Sequence, residues 1–255
     1  MKIVKNKCSF LISKDEPYSI GWFKNNKIDK WEQDSFHIFE YYKNDKGIYI
    51  DIGAWIGPTV LYCANIYGKV IAIEPDPVAL SRLKKNISVN NFNNIVLIEK
   101  GISSENGITQ FGGNGPLGNS ESTLLIANKE EYFSYEGRHT KCHSHNEIVK
   151  IETITIEKLI EKQNIDPQNI SLIKMDIEGG EKIVVPSLVN FLNKYKPVFY
   201  ISIHRCFLKE SDIDQILDIF FDIYDKCYYV SDNGEKNLID KNFIQTMKLN
   251  SLVFE

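Results

Sequence analysis

One stretch decides the fold: residues 48–57 read Ile48-Tyr-Ile-Asp-Ile-Gly-Ala-Trp-Ile-Gly57. The run from Ile48 to Ile52 is apolar at nearly every position, which is typical of a parallel strand with both faces covered. Two glycines follow, and residues 58–67 predict a helix. Glycines after a strand let the backbone approach a ligand closely, and the next helix N-terminus offers free N–H groups. The stretch therefore predicts the first βα unit of an α/β fold, with a ligand at its turn.

The same alternation of strand and helix continues to about residue 204. Apolar runs predict further strands at 69–73, 95–98, 171–175 and 198–203. Helical spacing of apolar residues predicts further helices at 77–89 and 180–195 and, outside the alternation, at 30–43 and 209–224. Because strand and helix alternate, we predict a doubly wound α/β fold with a mostly parallel sheet. Residues 227–230 and 249–254 predict a C-terminal antiparallel hairpin.

Two regions stand apart from this pattern. Residues 1–46 precede the alternation, and we predict that they form a cap over the ligand site, next to a domain at 47–255. Residues 104–147 are rich in glycine and then in polar, aromatic and histidine residues. A loop of this length inside a compact domain is usually functional. We therefore predict a loop insertion at about 104–147, followed by a strand with one wetter face at 148–156.

The charge balance bears on the class of ligand. The 255 residues include 30 lysines and arginines against 34 aspartates and glutamates, a formal net charge of −4. The only arginines are Arg82, Arg138 and Arg205. Proteins that bind nucleic acid neutralise phosphates with clustered basic residues. We therefore expect no nucleic-acid partner, and we expect Arg82, on the outer face of a helix, to contribute little.

The sequence also lacks the marks of a membrane or secreted protein. No apolar run approaches the roughly 20 residues needed to span a bilayer. The apolar stretch near the start is interrupted at residues 13–15, so we expect no signal peptide. The 5 cysteines are odd in number and include no C-x-x-C pair, as expected for reduced thiols. We therefore expect a cytoplasmic protein without a membrane span. Its amphipathic helices could pack within one chain or between two, so a homo-oligomer stays possible.

The turn after the first strand has the spacing D-x-G-x-x-x-G, from Asp51 through Gly53 to Gly57. A dinucleotide-binding turn would instead have G-x-G-x-x-G. The second strand ends at Glu74, 23 residues after Asp51, where a carboxylate can accept hydrogen bonds from both hydroxyls of a ribose. These two features on consecutive strand ends predict a nucleoside-type cofactor. The alternative is a structural turn, with Glu74 as a capping residue.

At these residues the chain resembles the class I S-adenosylmethionine-dependent methyltransferases and, more narrowly, the FkbM-type O-methyltransferases. Besides residues 49–57, the resemblance is carried by Val70-Ile-Ala-Ile-Glu-Pro-Asp-Pro77, Leu83-Lys-Lys-Asn-Ile87, Asn90-Asn91, Ile173-Lys-Met-Asp-Ile-Glu-Gly-Gly-Glu181 and Lys196-Pro-Val-Phe-Tyr-Ile-Ser-Ile-His204. Two positions depart from it: the family commonly has Asn at Trp55, and an acidic residue at Ser202, two before the histidine. The resemblance implies a Rossmann-like methyltransferase sheet and S-adenosylmethionine as cofactor.

The resemblance also implies which residues bind the cofactor. They lie at the ends of strands and in the insertion: Asp51, Gly53, Gly57, Glu74, Gly101, Ile102, Ser103, Ser122 and Asp176. Among them, Glu74 would bind the ribose hydroxyls, residues 101–103 would lie against the adenine, and Ser122 would close over the cofactor.

Polar side chains follow two late strands and predict the catalytic residues. In a parallel sheet the carboxyl ends of the strands face one crevice, so we expect Lys174, Asp176, Glu178 and His204 to converge there. A sugar or alkyl hydroxyl has a high pKa and needs a general base or a Lewis acid to lose its proton. We therefore predict His204 as general base, with Asp176 orienting cofactor or substrate. The alternative is a divalent cation bound by Asp176, Glu178 and His204.

The acceptor that the resemblance implies is a hydroxyl of a small molecule, such as a sugar or a nucleotide-activated sugar. Arg138 and Arg205 flank the predicted mouth, where guanidinium groups would bind phosphates. His143 and His145 in the insertion are predicted to contact the substrate. Two other functions stay open: an NAD(P)-dependent oxidoreductase, and a non-catalytic SAM-binding partner protein that kept the fold without the activity.

Overall fold

The computed structural model describes residues 1–26, 28, 30–113, 116–127 and 147–255. An N-terminal hairpin consists of β1 (Lys2–Lys5) and β2 (Cys8–Leu11). The strands of the main sheet are β3 (Asn44–Ile52), β4 (Tyr67–Ile73), β5 (Ile95–Ile98), β10 (Ile170–Met175), β11 (Phe199–Ser202), β12 (Cys227–Val230), β13 (Lys236–Ile239) and β14 (Ser251–Phe254). A smaller sheet contains β6 (Gly101–Ile102), β7 (Gly107–Gly113), β8 (Ser122–Thr123) and β9 (Ile148–Ile154).

The α-helices of the described residues are α1 (Pro17–Asn25), α2 (Gln33–Tyr41), α3 (Pro58–Cys63), α4 (Pro77–Ser88), α5 (Ile156–Lys162), α6 (Glu181–Tyr195), α7 (Glu210–Ile223) and α8 (Lys241–Met247). Helix α3 is shorter than the predicted helix 58–67, because Tyr67 already begins β4. Within the described part of the chain, no helix combines the length and the apolar character that a membrane crossing requires.

The main sheet has the order β13–β12–β14–β11–β10–β3–β4–β5. Strands β11, β10, β3, β4 and β5 run parallel to one another, whereas β14 is antiparallel to its neighbours β11 and β12. The chain proceeds from β3 outward to β5 and later adds β10 on the other side of β3. The ends of β3 and β10 therefore form the topological switch point at which such folds bind ligands. The predicted doubly wound, mostly parallel α/β fold is confirmed.

Both faces of this sheet are covered by helices. Successive strand residues point to opposite faces, and the neighbours Tyr49 and Ile50 in β3 are both fully buried. Ile50 belongs to a core with α5, α6 and α7, whereas Tyr49 belongs to a core with α2, α3 and the N-terminal hairpin. This two-sided burial explains why the strand is apolar without alternation.

The predicted insertion contains more regular structure than expected. Strand β7 (Gly107–Gly113) pairs antiparallel with β9, and Gly112 and Gly113 pair with β8. A Cβ on Gly112 would overlap the carbonyl oxygen of Glu147, and one on Gly113 would overlap that of Glu121. The glycines thus permit close approach of neighbouring backbone. In the sequence, however, they are typical of a loop, so no strand was predicted at these residues.

The two ends of the chain add to the main sheet and its cover. Strand β3 begins at Asn44, so it passes through the predicted boundary between residues 46 and 47. At the C-terminus, β12 pairs with β14, but β13 and α8 lie between them in the chain. The predicted hairpin joined residues 227–230 directly to 249–254. In the structure, the strand that follows β12 in the chain and pairs with it is β13, which lies at the edge of the sheet.

Candidate active site

Two cavities adjoin at the carboxyl ends of the parallel strands. The first cavity has about 560 Å³ of empty space and the second about 660 Å³, and both values include space that is open to solvent. The residues that line both are Gly53, Trp55, Ser120, Asp176 and Glu178. Because of this shared wall, a ligand in one cavity would lie close to a ligand in the other.

The first cavity has both polar and apolar walls. Glu74 at the end of β4 contributes a carboxyl group, and Gly53 contributes backbone. Ile102, Phe111 and Leu124 contribute apolar side chains. A carboxyl group for hydroxyls beside an apolar wall for a flat ring suits a nucleoside.

The turn between β3 and α3 requires glycine at two positions. Gly53 has a φ of +91°, and a Cβ there would overlap the carbonyl oxygen of Asp176, so the end of β3 runs directly against the end of β10. Gly57 has a φ of +94°, and a Cβ there would lie 2.5 Å from the Leu83 side chain of α4. Gly53 thus shapes the cavity wall. Gly57 lines neither cavity, and its described role is the packing of the turn.

Glu74 is held by two backbone N–H groups. The N–H of Trp55 donates to its Oε2 at 2.7 Å, and the N–H of Asp76 donates to its Oε1 at 2.8 Å. Burial raises the pKa of Glu74 to about 8, although both hydrogen bonds lower it. Each carboxylate oxygen has a further lone pair for a ligand hydroxyl. Glu74 is therefore fixed in place at the wall of the first cavity.

Asp51 lines neither cavity, in contrast to the direct cofactor contact that the resemblance implied. It is fully buried, accepts a hydrogen bond from the Thr59 hydroxyl at 2.5 Å and lies 3.5 Å from the Lys174 ammonium. Lys174 also lies 3.0 Å from Oδ2 of Asp176. Burial lowers the pKa of Lys174, but Asp176 and Asp51 together raise it above its usual range. Asp51 thus helps to keep a charged lysine at the wall of the second cavity.

His204 lies among three carboxylates. Its Nδ1 is 2.9 Å from Oε1 of Glu181, and its Nε2 is 3.2 Å from Oδ1 of Asp176 and 3.5 Å from Oε1 of Glu178. Burial lowers the pKa of His204, but the hydrogen bonds to Asp176 and Glu181 raise it well above its usual value. Burial raises the pKa of Asp176, but Lys174 and His204 outweigh this and hold it below its usual range. The structure brings all four predicted catalytic side chains together.

Glu181 is a site residue that the sequence analysis placed after the late strand but to which it assigned no role. It begins α6, is fully buried, and accepts hydrogen bonds from the Ile177 N–H and from His204. It supplies the carboxylate that orients His204, where Ser202 lacks the acidic group that the resemblance expects. Acidic residues favour the first turn of a helix, so the position of Glu181 after two glycines was the available signal.

Residues 116–123 are tied to the walls of the first cavity. The carbonyl of Gly118 accepts hydrogen bonds from Trp55 Nε1 at 3.1 Å and from Arg82 Nη1 at 2.7 Å. Asp76 Oδ2 accepts from the Gly118 N–H at 2.7 Å and from the Ser122 hydroxyl at 3.1 Å. Ser122 lines the first cavity.

The expectation for Arg82 was wrong. Besides its bond to Gly118, its guanidinium carbon lies 3.8 Å from the centre of the Tyr18 ring, and its Nε lies 3.7 Å from Glu16. Arg82 therefore connects α4, the N-terminal segment and residues 116–123. Helical spacing alone placed it outward because the segments that cover it are distant in sequence.

The N-terminal segment contributes to the second cavity. Trp22, Trp31 and Glu32 line it together with side chains from the ends of β10 and β11. None of the described residues among 1–46 lines the first cavity. The predicted cap therefore covers the second cavity and not the first.

The remaining predicted residues lie in different places. Gly101 and Ile102 line the first cavity, whereas Ser103 is buried and its N–H donates to the Ile154 carbonyl at 3.1 Å. Arg205 lines neither cavity, and we no longer place it at the acceptor.

The Arg205 guanidinium lies 3.4 Å from Glu210 and donates to the Leu249 carbonyl at 3.5 Å, which explains its orientation. Arg138, His143 and His145 lie outside the described residues. In the described part of the chain, no arginine therefore lines the second cavity.

Comparisons with known proteins identify the family of the chain. Residues 51–231 match the model of the methyltransferase FkbM domain. A comparison with curated proteins finds no match. Among solved structures, a methyltransferase FkbM from Methylobacillus flagellatus KT is 18% identical with a TM-score of 0.47, and the match covers 83% of this chain and 44% of that chain. The chain thus spans less than half the length of that relative.

A putative methyltransferase from Streptococcus mutans, solved in complex with SAH, is 12% identical with a TM-score of 0.44, and the match covers 86% of this chain and 93% of that chain. The family match takes in the glycine turn, Glu74, the carboxylates after β10 and His204. The chain belongs to the FkbM methyltransferase family.

Proposed function

We propose that the chain transfers a methyl group from S-adenosylmethionine to a hydroxyl of a small-molecule acceptor, with the cofactor in the first cavity and the acceptor in the second. The wall shared at Asp176 and Glu178 carries this proposal, because methyl transfer needs both reactants held in line. Transfer to oxygen is supported by the acid–base groups beside that wall, since a hydroxyl must lose its proton. Family membership argues against the oxidoreductase alternative, as does the turn after β3, which has the spacing D-x-G-x-x-x-G in place of G-x-G-x-x-G.

The chemistry of the first cavity fits this cofactor. Glu74 would accept hydrogen bonds from the ribose hydroxyls, and Ile102 and Phe111 would contact the adenine. S-adenosylmethionine supplies, when bound, a methyl group activated by a positively charged sulfur. Asp176 stays ionised beside Lys174 and can orient a positively charged ligand.

His204 is the proposed acceptor of the hydroxyl proton. Its Nδ1 is anchored to Glu181, and the side chain lines the second cavity. A base must be neutral to accept a proton, whereas the surrounding carboxylates favour the charged imidazole. A positive charge bound beside Asp176 lowers the pKa of His204, because like charges repel. Cofactor binding would therefore favour the neutral form of His204, which can act as a base.

The proposed acceptor is a sugar-type small molecule. Trp22, Trp31 and Trp55 give the second cavity aromatic walls, which suit the apolar face of a sugar ring. Glu32 and Glu178 add carboxyl oxygens that accept hydrogen bonds from hydroxyls. Arg205 lines neither cavity, so it gives no reason to prefer a nucleotide-activated acceptor.

Replacing Glu181 by glutamine is expected to lower the pKa of His204, because the variant removes the hydrogen-bonded negative charge at Nδ1. NMR titration of the imidazole signals in the presence of a chelator measures this directly. His37 lines neither cavity and serves as the internal control in the same spectra. An unchanged His204 titration would mean that Glu181 does not set its protonation.

Replacing Arg82 by alanine is expected to weaken the binding of S-adenosylhomocysteine about fivefold. Loss of the hydrogen bond to Gly118 releases residues 116–123 from the first cavity at a cost of about 1 kcal/mol. Calorimetry compares this variant with Lys84→Ala. Lys84 lies on the same helix as Arg82, is exposed and pairs with Glu99. Equal affinities of the two variants for S-adenosylhomocysteine would show that Arg82 does not contribute to ligand binding in the first cavity.

A divalent cation is a second candidate for activating the hydroxyl. Asp176, Glu178 and His204 each offer one ligand atom, and these atoms lie within 4.8 Å of one another. Two carboxylates and an imidazole suit such an ion. The Lys174 ammonium, 3.0 Å from Asp176, opposes it by charge repulsion. We therefore expect methyl transfer to survive a chelator, and full loss of activity that added magnesium or manganese restores would favour the cation instead.

The function is tested by incubating the chain with S-adenosylmethionine and a panel of sugars and sugar derivatives, and by mass spectrometry of the products. We expect an acceptor to gain about 14 Da, the mass of one methyl group replacing a hydrogen. If S-adenosylhomocysteine binds and no hydroxyl acceptor is methylated, the non-catalytic partner becomes the better interpretation.

A further inference from the structure

The second cavity holds a carboxyl group without a basic partner. Lys174 is paired with Asp51 and Asp176, and His204 with Asp176, Glu178 and Glu181. Glu32 also lines this cavity, and among the described residues no lysine, arginine or histidine lies within the 4.0 Å of an ion pair. Its Oε2 accepts one hydrogen bond, from the Ser35 hydroxyl at 3.2 Å. Among the described residues that line the second cavity, Glu32 is therefore the carboxyl group that has no basic side chain beside it.

Aromatic rings surround the same space. Trp22 meets Trp31 edge to face with ring centres 4.9 Å apart, and it meets Trp55 in the same way at 5.1 Å. All three tryptophans line the second cavity. The face of an indole ring attracts ammonium groups, more strongly than any other side-chain ring. Carboxylate and indole together are the groups that recognise an organic cation.

The backbone around the cavity is consistent with a site built for a ligand. Glu32, Trp55 and Glu178 line it with φ values of +40°, +48° and +54°. Non-glycine residues in this left-handed region are unfavourable and persist where the surrounding structure holds them, often at ligand sites. Two of the three strained positions present carboxyl groups to this cavity.

We propose that the second cavity binds an acceptor that carries a protonated amino group, such as an amino sugar, and that Glu32 binds this ammonium. The inference rests on the proposed function and specifies the acceptor class for the same site. A phosphate would instead meet Glu32, Asp176 and Glu178 without an arginine in the described lining. Glu32 lies outside residues 51–231, so it is a specificity residue supplied by the N-terminal segment and not by the matched family domain.

The charge state of Glu32 agrees with a missing cation. Burial, with the negative charges of Asp176 and Asp34, raises the pKa of Glu32 to about 8, while Lys174 and the Ser35 hydrogen bond lower it. A bound ammonium would favour the ionised carboxylate by direct attraction. Glu32 would then hold the amino group, leaving His204 free to act on a neighbouring hydroxyl.

Ligand-observed NMR tests the proposal on the full chain, saturated with S-adenosylhomocysteine and in the presence of a chelator. The probes are glucosamine, N-acetylglucosamine and glucose 6-phosphate; N-acetylation of glucosamine adds an acetyl group and removes the positive charge from the nitrogen. We expect glucosamine to bind at least about tenfold more tightly than either of the others. In Glu32→Gln this preference should fall to about twofold or less, because the amide carries no charge.

The control is Glu40→Gln, which removes the same charge from α2 at a residue that lines neither cavity; its preference for glucosamine should equal that of the unaltered chain. Equal binding of the two amino sugars, tighter binding of the phosphate, or no binding of any probe would overturn the proposal. These comparisons use the unaltered chain and do not depend on the folding of a variant. Failure of S-adenosylhomocysteine to bind in the first place would instead count against the proposed function.

Discussion

Replacing His204 by glutamine is expected to reduce methyl transfer about 1,000-fold, because general-base catalysis contributes roughly 10²- to 10⁴-fold. Glutamine keeps a hydrogen-bond donor for the buried Glu181, so the fold around α6 should be retained. His204 lines only the second cavity, so S-adenosylhomocysteine should bind within about threefold of its normal affinity. Single-turnover kinetics and calorimetry measure the two effects separately.

The matched control for this variant is His37→Gln, at a histidine of α2 that lines neither cavity. Its transfer rate should equal that of the unaltered chain. A His204 variant that transfers methyl at a near-normal rate would remove the histidine from the chemistry. A variant that loses cofactor affinity would show that His204 supports the first cavity instead.

Replacing Glu74 by alanine is expected to weaken the binding of S-adenosylhomocysteine about 100-fold. Two hydrogen bonds between a carboxylate and ribose hydroxyls are worth about 3 kcal/mol together, which corresponds to that factor. The change also leaves the N–H groups of Trp55 and Asp76 without their acceptor, so the free energy of unfolding should fall by about 2 kcal/mol. Calorimetry and urea unfolding measure the two quantities.

Glu99→Ala is the control, because Glu99 lies close to the end of β5 with 54% of its side chain exposed and pairs with Lys84. It should bind S-adenosylhomocysteine normally. If the folded Glu74 variant keeps an affinity within about threefold of normal, the ribose does not contact this residue and the first cavity has been assigned to the wrong ligand.

Much of the fold could be predicted because its signals are local. The apolar run in β3 predicts a parallel strand, and the glycines at 53 and 57 predict the tight turn after it. Strand β7 was missed for a physical reason: the glycines at 112 and 113 that let neighbouring backbone approach also resemble loop composition. The length of α3 was overestimated because its end depends on where Tyr67 joins the sheet.

The site was predictable only where its residues follow strands. Glu74, Asp176 and His204 lie at strand ends, so topology alone brings them to one edge. The interactions of Arg82 with Tyr18 and Gly118, and the position of Glu32 at the second cavity, depend on segments far apart in sequence. No periodicity or spacing encodes such contacts, so the N-terminal contribution to the second cavity required the structure.

The central claim is that cofactor and acceptor occupy separate cavities that meet at Asp176 and Glu178. A crystal structure of the chain with S-adenosylhomocysteine tests this most directly. The account predicts the ribose hydroxyls on Glu74, the adenine beside Ile102 and Phe111, and the second cavity left open next to His204. A nucleoside bound among Trp22, Trp31 and His204, with Glu74 free of ligand, would contradict it.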